Sequence, residues 1–178
     1  MKVITISGSA GCGKDTMAKT LKGALERRNQ RVLITHYADL LKYVCKQYLG
    51  WNGEKDEAGR TLLQQVGTDY IREKIPNFWV AWVALILTLF DDKWDYVLIP
   101  DTRFPNEISY LRDNGFDVTH IHIVRPGFEN TLTPEQRSHA SETALDDIEP
   151  DILVTNDGSL LDFDKNTDEL AEEIVNAE

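Results

Sequence analysis

The sequence predicts an α/β fold in which a five-stranded parallel sheet carries helices on both faces, as a three-layer sandwich. Two observations indicate this class. Short β-branched segments alternate with segments whose apolar residues recur at helical spacing. The polar and glycine-rich motifs follow the carboxyl ends of the predicted strands, where open parallel sheets bind their ligands.

The alternation begins with a predicted strand over residues 3–6 and a helix whose buried face carries Met17, Leu21, Ala24 and Leu25. Further strands are predicted over residues 31–37, 96–99, 118–124 and 151–155, and helices over 38–49, 106–114 and 170–175. Residues 57–74 and 78–90 predict two more helices, divided by Pro76, whose ring does not fit inside a helix. Because no strand separates them, these helices predict an all-helical insertion at the sheet edge.

Charge and apolar content restrict the partners. The chain has 178 residues, with 19 Lys and Arg against 30 Asp and Glu and a net charge of −11. A surface this acidic repels a nucleic-acid polymer, although a local cluster of arginines could hold a small phosphorylated ligand. The longest apolar run, residues 78–90, is shorter than the roughly 20 residues of a membrane span. We expect neither a nucleic-acid nor a membrane partner.

The cysteine content indicates a reducing compartment. Cys12 and Cys45 are too few for a disulfide framework and lack the paired spacing of a zinc site. The first residues also lack the apolar core of a signal peptide. We therefore expect a cytoplasmic protein, or one of the host cytoplasm if a phage encodes it.

Residues 8–14 match the phosphate-loop pattern of two glycines and a lysine between a strand and a helix. In such a loop the backbone amides of Gly11, Cys12 and Gly13 point at phosphate oxygens, and Lys14 adds a full positive charge. The pattern predicts a P-loop NTPase fold and a nucleoside polyphosphate ligand.

The residue after the lysine departs from the usual pattern. Ser or Thr commonly follows it and binds Mg²⁺, whereas this chain has Asp15 and then Thr16. A carboxylate can bind Mg²⁺ directly or through water, and it also suits the first turn of a helix. Both Asp15 and Thr16 remain candidate metal ligands.

The predicted strand over 96–99 ends in a second motif that contains Asp101 and Arg103. This spacing places a general base or metal partner beside a phosphate clamp, as phosphoryl transfer to a small acceptor requires. The alternative is structural: Asp101 caps the following helix, and Arg103 pairs with Glu107.

Six segments in this order resemble the deoxynucleoside monophosphate kinases of tailed phages. The segments are residues 13–16, 38–42, 59–69, 100–103, 124–127 and 155–160. The resemblance implies a single P-loop kinase domain over residues 1–178. Its core would comprise 1–37, 94–125 and 150–178, its acceptor-binding helical region 38–93, and its lid 126–149.

The resemblance also implies the reaction and its residues. The γ-phosphate of ATP, with Mg²⁺, would pass to a deoxynucleoside 5′-monophosphate and give the diphosphate. The implied catalytic residues are Lys14, Arg103, Arg125 and Asp101. The implied ATP-binding residues are Gly11, Cys12, Gly13, Lys14, Asp15, Thr16, Arg125, Asn156, Asp157 and Gly158. The implied acceptor-binding residues are Asp39, Lys42, Arg60, Gly67, Thr68, Trp79, Asp101, Arg103 and Glu107.

Several of these roles have structural alternatives. Arg60 could pair with Glu57 on an exposed helix face, and Lys42 could be a solvated lysine. Trp79 could be a core residue, and Asn156 could belong to a plain turn.

Two other functions are compatible with the motifs. One is another small P-loop kinase, acting on dephospho-coenzyme A or phosphomevalonate, and the other is a catalytically silent nucleotide-binding module. The apolar helices near the acceptor side also leave room for a homodimer.

Overall fold

The computed structural model describes residues 1–146 and 148–176, which contain a five-stranded parallel sheet of order β2-β3-β1-β4-β5. The strands are β1 (Lys2–Ser7), β2 (Val32–Ile34), β3 (Tyr96–Ile99), β4 (Asp117–Val124) and β5 (Ile152–Thr155). This confirms the predicted α/β class. Asp147 of the expected lid, and Ala177 and Glu178 of the expected core, lie outside the described residues.

Helices cover both faces of the sheet. They are α1 (Lys14–Arg27), α2 (Ala38–Tyr48), α3 (Glu57–Gln64), a π-helix (Gln65–Arg72), α4 (Phe78–Leu89), α5 (Pro105–Asp113), α6 (Pro134–Arg137), α7 (Ala140–Thr143) and α8 (Leu160–Asn176). On one face, Ile4 and Ile6 of β1 pack in a core with α1 and α8. On the other, Val3 and Ile99 pack in a core with α2, α4 and α5. The three layers follow from this alternation along the strands.

The structure refines three predicted elements. The helix expected over 57–74 changes to a π-helix after Gln64. The closing helix expected to contain residues 170–175 does contain them and begins at Leu160, where Ser159 and Asp162 hydrogen-bond each other's backbone amides. The strand expected over 31–37 ends at Ile34.

The short second strand changes the position of His36. From the expected strand, this histidine would lie in the core or on a sheet face, but it occupies the connection to α2 and lines a cavity. His120 of β4, in contrast, lies on the sheet face and hydrogen-bonds the hydroxyl groups of Thr5 and Ser7 of β1 at 3.0 and 3.1 Å. Burial lowers the pKa of His120 to about 4, so this imidazole is neutral at pH 7.

The helical region joins the sheet edge without forming a membrane span. Within residues 1–146 and 148–176, every helix is too short or too polar to cross a bilayer. Trp79, Val83 and Leu87 of the apolar helix α4 belong instead to the core beside β3.

Two helical glycines predict opposite effects of the same substitution. A Cβ at Gly59 of α3 would overlap the carbonyl oxygen of Glu54, whereas one at Gly23 of α1 would meet only Arg27 Nη1, at 3.5 Å. We expect Gly59→Ala to lower the free energy of unfolding by about 1–3 kcal/mol through overpacking. Gly23→Ala should raise it by about 0.5–1 kcal/mol. Urea unfolding of both variants measures the changes, and equal effects would contradict the packing described here.

Candidate functional site

The carboxyl ends of three strands meet beside a cavity of about 430 Å³. Strand β3 pairs with β1 on one side and with β2 on the other, so Lys14 after β1, His36 after β2 and Asp101 after β3 converge on this cavity. Many of the sequence-predicted residues line this cavity: Gly11, Lys14, Asp15, Lys42, Arg60, Gly67, Thr68, Trp79, Asp101, Arg103 and Glu107.

The phosphate loop curls at one end of the cavity. Gly8 and Gly13 have φ angles of 138° and 112°, a region that other residues rarely adopt. Lys14 Nζ donates to the carbonyl oxygens of Gly8 and Ser9 at 2.7 and 2.9 Å. Burial lowers the pKa of Lys14, and the charge of Arg103 lowers it further. The ammonium group therefore lies in a partly desolvated site where an anion would be held strongly.

The phosphate loop also contacts the residues that follow β5, an edge strand of the sheet. Asn156 Nδ2, just after β5, donates to the carbonyl oxygen of buried Cys12 at 2.9 Å. This contact places Asn156 beside the loop, where the resemblance expects the donor nucleotide. Asp157 and Gly158 are exposed and do not line the cavity.

The first turn of α1 presents oxygen ligands of the kind that Mg²⁺ prefers. Asp15 is 75% exposed, and its Oδ1 lies 3.5 Å from His36 Nε2. This contact lowers the pKa of Asp15 and raises that of His36. In the described part of the chain, no group of three or more His, Cys, Asp or Glu could form a metal site. The residues fit a Mg²⁺ held by one carboxylate or hydroxyl, Asp15 or Thr16, together with nucleotide phosphates.

Asp101 joins β3 to the start of α2. Its two carboxylate oxygens accept the backbone N–H groups of Tyr37 and Ala38, both at 3.0 Å. The cap that the sequence suggested does exist, but on α2 rather than on the helix that follows Asp101. The carboxylate therefore occupies a fixed position at the cavity wall.

Arg103 is held from two sides. Its Nη1 donates to the carbonyl oxygen of Ser141 at 2.9 Å and to the carboxylate of Glu142, both in α7. Its backbone N–H donates to Glu107 Oε2 at 2.7 Å. The alternative pairing with Glu107 is thus made by the Arg103 backbone, and the guanidinium pairs with α7, in the segment expected to be the lid.

The opposite wall of the cavity is built from the helical region. Trp79 is 3% exposed, and its Nε1 donates to the Gly67 carbonyl oxygen at 2.9 Å. Trp79 is therefore both a core residue and a cavity residue. Arg60 Nε donates to the Lys55 carbonyl oxygen at 2.9 Å, which leaves the terminal nitrogens of its guanidinium for other contacts.

Asp39 is a predicted acceptor residue that lies outside the cavity lining. Asp39 Oδ1 accepts from Lys42 Nζ at 3.0 Å, and Oδ2 lies 3.4 Å from His36 Nδ1. Lys42 does line the cavity, so Asp39 contacts Lys42 from the rim of the cavity.

Residues of the expected lid line two cavities, since Ser141 and Glu142 belong to both. Arg125, at the end of β4, donates to the Gly11 carbonyl oxygen at 3.1 Å and stacks 4.3 Å from the Phe128 ring centroid. A second cavity of about 260 Å³ lies beside Arg125 and shares Arg103 and Glu142 with the first. The Arg103–Glu142 pair therefore stands between the two cavities.

Sequence reasoning assigned no site role to several residues that line the larger cavity, among them His36, Arg72, Phe104 and Glu142. Arg72 follows Thr68 by four positions in a predicted helix, so helical spacing could have found it. The role of Glu142 depends on its contact with Arg103, which joins residues 39 positions apart and is not visible from spacing.

Comparison with known proteins identifies the family. The sequence model of the deoxynucleotide monophosphate kinase family matches residues 35–167, more than half of the chain. The chain belongs to the deoxynucleotide monophosphate kinase family. The expected resemblance is therefore confirmed.

Individual relatives extend this finding. The deoxynucleotide monophosphate kinase of Enterobacteria phage T4 is 38% identical over 111 residues, which are 61% of this chain and 43% of the relative. The match thus spans less than half of that relative. The phosphomevalonate kinase of Drosophila melanogaster is 27% identical over 179 residues and 90% of each chain. Shikimate kinase from Aquifex aeolicus has the same fold, with a TM-score of 0.53, 14% identity and 98% coverage of both chains.

The Arg103–Glu142 pair predicts how firmly the lid of this family member is held. Glu142 is 9% exposed, and Glu142→Gln would remove its charge but keep its shape. We expect the lid to open about fivefold more often, for a loss of about 1 kcal/mol. Tryptic cleavage after Arg137 should accelerate by that factor. Glu129→Gln makes the same charge change at an exposed lid residue and should leave the rate unchanged. Equal cleavage of the wild type and Glu142→Gln would contradict the role of the pair.

Proposed function

We propose that the protein transfers the γ-phosphate of ATP to a deoxynucleoside 5′-monophosphate and releases the diphosphate. The observation that carries this proposal is a shared cavity. Lys14 of the phosphate loop and Arg60 and Arg103 of the acceptor side line the same space of about 430 Å³. The phosphates of the donor and of the acceptor, both polyanions, can therefore meet within one cavity.

Direct transfer requires positive charge that stabilises the phosphoryl group between donor and acceptor. Lys14 would hold the β- and γ-phosphates, and Arg103 the acceptor phosphate. Arg125, from the lid side, would neutralise charge on the transferring group. The acceptor phosphate is already ionised at neutral pH, so Asp101 would orient the site rather than remove a proton.

The acceptor base would lie against the helical region. Leu41, Leu63, Trp79 and Phe104 give this part of the cavity apolar and aromatic surfaces, which suit a planar base. Gly67 allows the close approach of Leu41, because a Cβ at residue 67 would lie 2.6 Å from Leu41 Cδ2. Thr68 would provide a hydroxyl for the sugar or base.

Mg²⁺ would be held by Asp15 or Thr16 together with the donor phosphates, and it would supply positive charge to them. Asn156 would contact the donor nucleotide beside the loop. Asp157 and Gly158, in the same turn as Asn156, would contact the edge of the donor nucleotide. These assignments follow the position of each residue around the phosphate loop.

Phosphomevalonate is a second candidate acceptor. The likeness to the Drosophila phosphomevalonate kinase over 90% of the chain favours it. Phosphomevalonate has a carboxylate and no aromatic ring, so it would match the apolar and aromatic wall of the cavity less well than a planar base does. The apolar wall therefore favours a nucleotide acceptor.

The donor assignment predicts the effect of Lys14→Ala. Removing the buried ammonium should lower kcat by about 100-fold or more while the fold is kept, because this charge acts on the transferring phosphate. A coupled ADP-release assay with all deoxy- and ribonucleoside monophosphates and phosphomevalonate measures kcat and identifies the acceptor. Lys19→Ala, on the exposed face of the same helix, is the matched control. Wild-type activity in Lys14→Ala would contradict the assignment.

A further inference from the structure

A buried ion pair joins the helical region to the turn that carries Arg103. Arg72, the last residue of the π-helix, donates from Nη2 to Glu107 Oε1 at 2.5 Å. The side chains are 12% and 2% exposed, and both residues line the larger cavity. The pair therefore lies within the wall of the candidate site.

The same pair controls the geometry of the turn. The second oxygen of Glu107 accepts the backbone N–H groups of Arg103 and Phe104 at 2.7 and 3.1 Å. The Arg72 guanidinium also stacks 3.9 Å from the Phe104 ring centroid. Arg72 thus contacts both the carboxylate that holds the turn and the aromatic residue within it.

Stability alone does not explain a buried ion pair. Transferring two charges from water into the protein costs several kcal/mol per ion, and apolar replacements of such pairs are often neutral or stabilising. Arg72 Nε is buried, and among the described residues it has no hydrogen-bond partner, which adds to this cost. A role in placing site residues would account for an arginine here.

The charge of Arg72 also determines the charge of Glu107. Burial raises the pKa of Glu107 to about 7, and Arg72 opposes this rise. Loss of Arg72 would therefore shift Glu107 toward its neutral, protonated form. A neutral acid accepts weaker hydrogen bonds from the Arg103 and Phe104 amides than a carboxylate does.

We propose that Arg72 is a positioning residue for the acceptor-phosphate clamp: through Glu107 it fixes the turn from which Arg103 reaches the acceptor. This inference rests on the proposed function. It predicts that loss of Arg72 weakens acceptor binding and leaves donor binding intact, because the phosphate loop is held by other contacts.

The test compares Arg72→Gln, Arg72→Lys and Glu107→Gln with the wild type. Titration calorimetry with dAMP, dCMP, dGMP, dTMP and ATP gives the binding constants, and the coupled assay gives KM and kcat. We expect Arg72→Gln to weaken binding of the deoxynucleotide about tenfold. The binding constant for ATP should stay within twofold of the wild-type value. Arg72→Lys keeps the charge and should recover about a third of the loss. Arg27→Gln, which removes an exposed arginine paired with Asp168 at 2.7 Å, is the matched control.

A double variant separates positioning from direct contact. If Arg72 acts through Glu107, Arg72→Gln combined with Glu107→Gln should be no worse than either alone. Additive losses, equal losses for ATP, or unchanged acceptor binding in folded Arg72→Gln would overturn the inference. Should Arg72→Gln fail to fold, Arg72→Lys and Glu107→Gln give the same comparison.

The proposed function and this inference can fail separately. A wild-type protein that binds a deoxynucleotide without phosphorylating it would refute the function, and the binding constants would still test Arg72. A wild type that is active, with an Arg72→Gln variant that binds normally, would refute only the inference. Failure of the wild type to bind any of the four deoxynucleotides would overturn both.

Discussion

Strand β1 pairs in parallel with β3 and β4, and this central position determines where the chemistry lies. The phosphate loop follows β1, the Asp101–Arg103 turn follows β3, and Arg125 follows β4. Parallel pairing brings the three strand ends to one edge of the sheet. A change in strand order would separate Lys14 from Arg103, even if each kept its local structure. The sheet topology is thus the constraint on which the candidate site depends.

Charge is distributed unevenly on this framework. The protein carries a net charge of −11, yet Lys14, Arg60, Arg72 and Arg103 line the same cavity. Acidic residues hold two of these cations in place: Glu107 pairs with Arg72, and Glu142 with Arg103. Carboxylates thus orient arginines around a space suited to phosphates. Positive charge is thus concentrated in the cavity of a chain that is acidic overall.

Local sequence predicted the parts of the site that depend on neighbouring residues. The glycines and lysine of the phosphate loop, and the strand that precedes them, are adjacent in the chain, so their pattern was sufficient. A helix cap was the structural alternative for Asp101, but its partners Tyr37 and Ala38 are more than 60 positions away, so that alternative named the wrong helix. His36 was misplaced because β2 ends earlier than its β-branched residues suggest. Helical spacing from Thr68 could have found Arg72, whereas Glu142 acts through a contact with Arg103, 39 positions away, which spacing alone does not reveal.

The central claim is that donor and acceptor nucleotides face each other in one cavity. Titration calorimetry with adenosine linked through a polyphosphate chain to a deoxynucleoside tests it most directly, because such a ligand occupies both sites only if they are contiguous. We predict that it binds at least about 100-fold more tightly than ATP, and that Lys14→Ala and Arg103→Ala each weaken it. A linked ligand that binds no more tightly than ATP would contradict the claim.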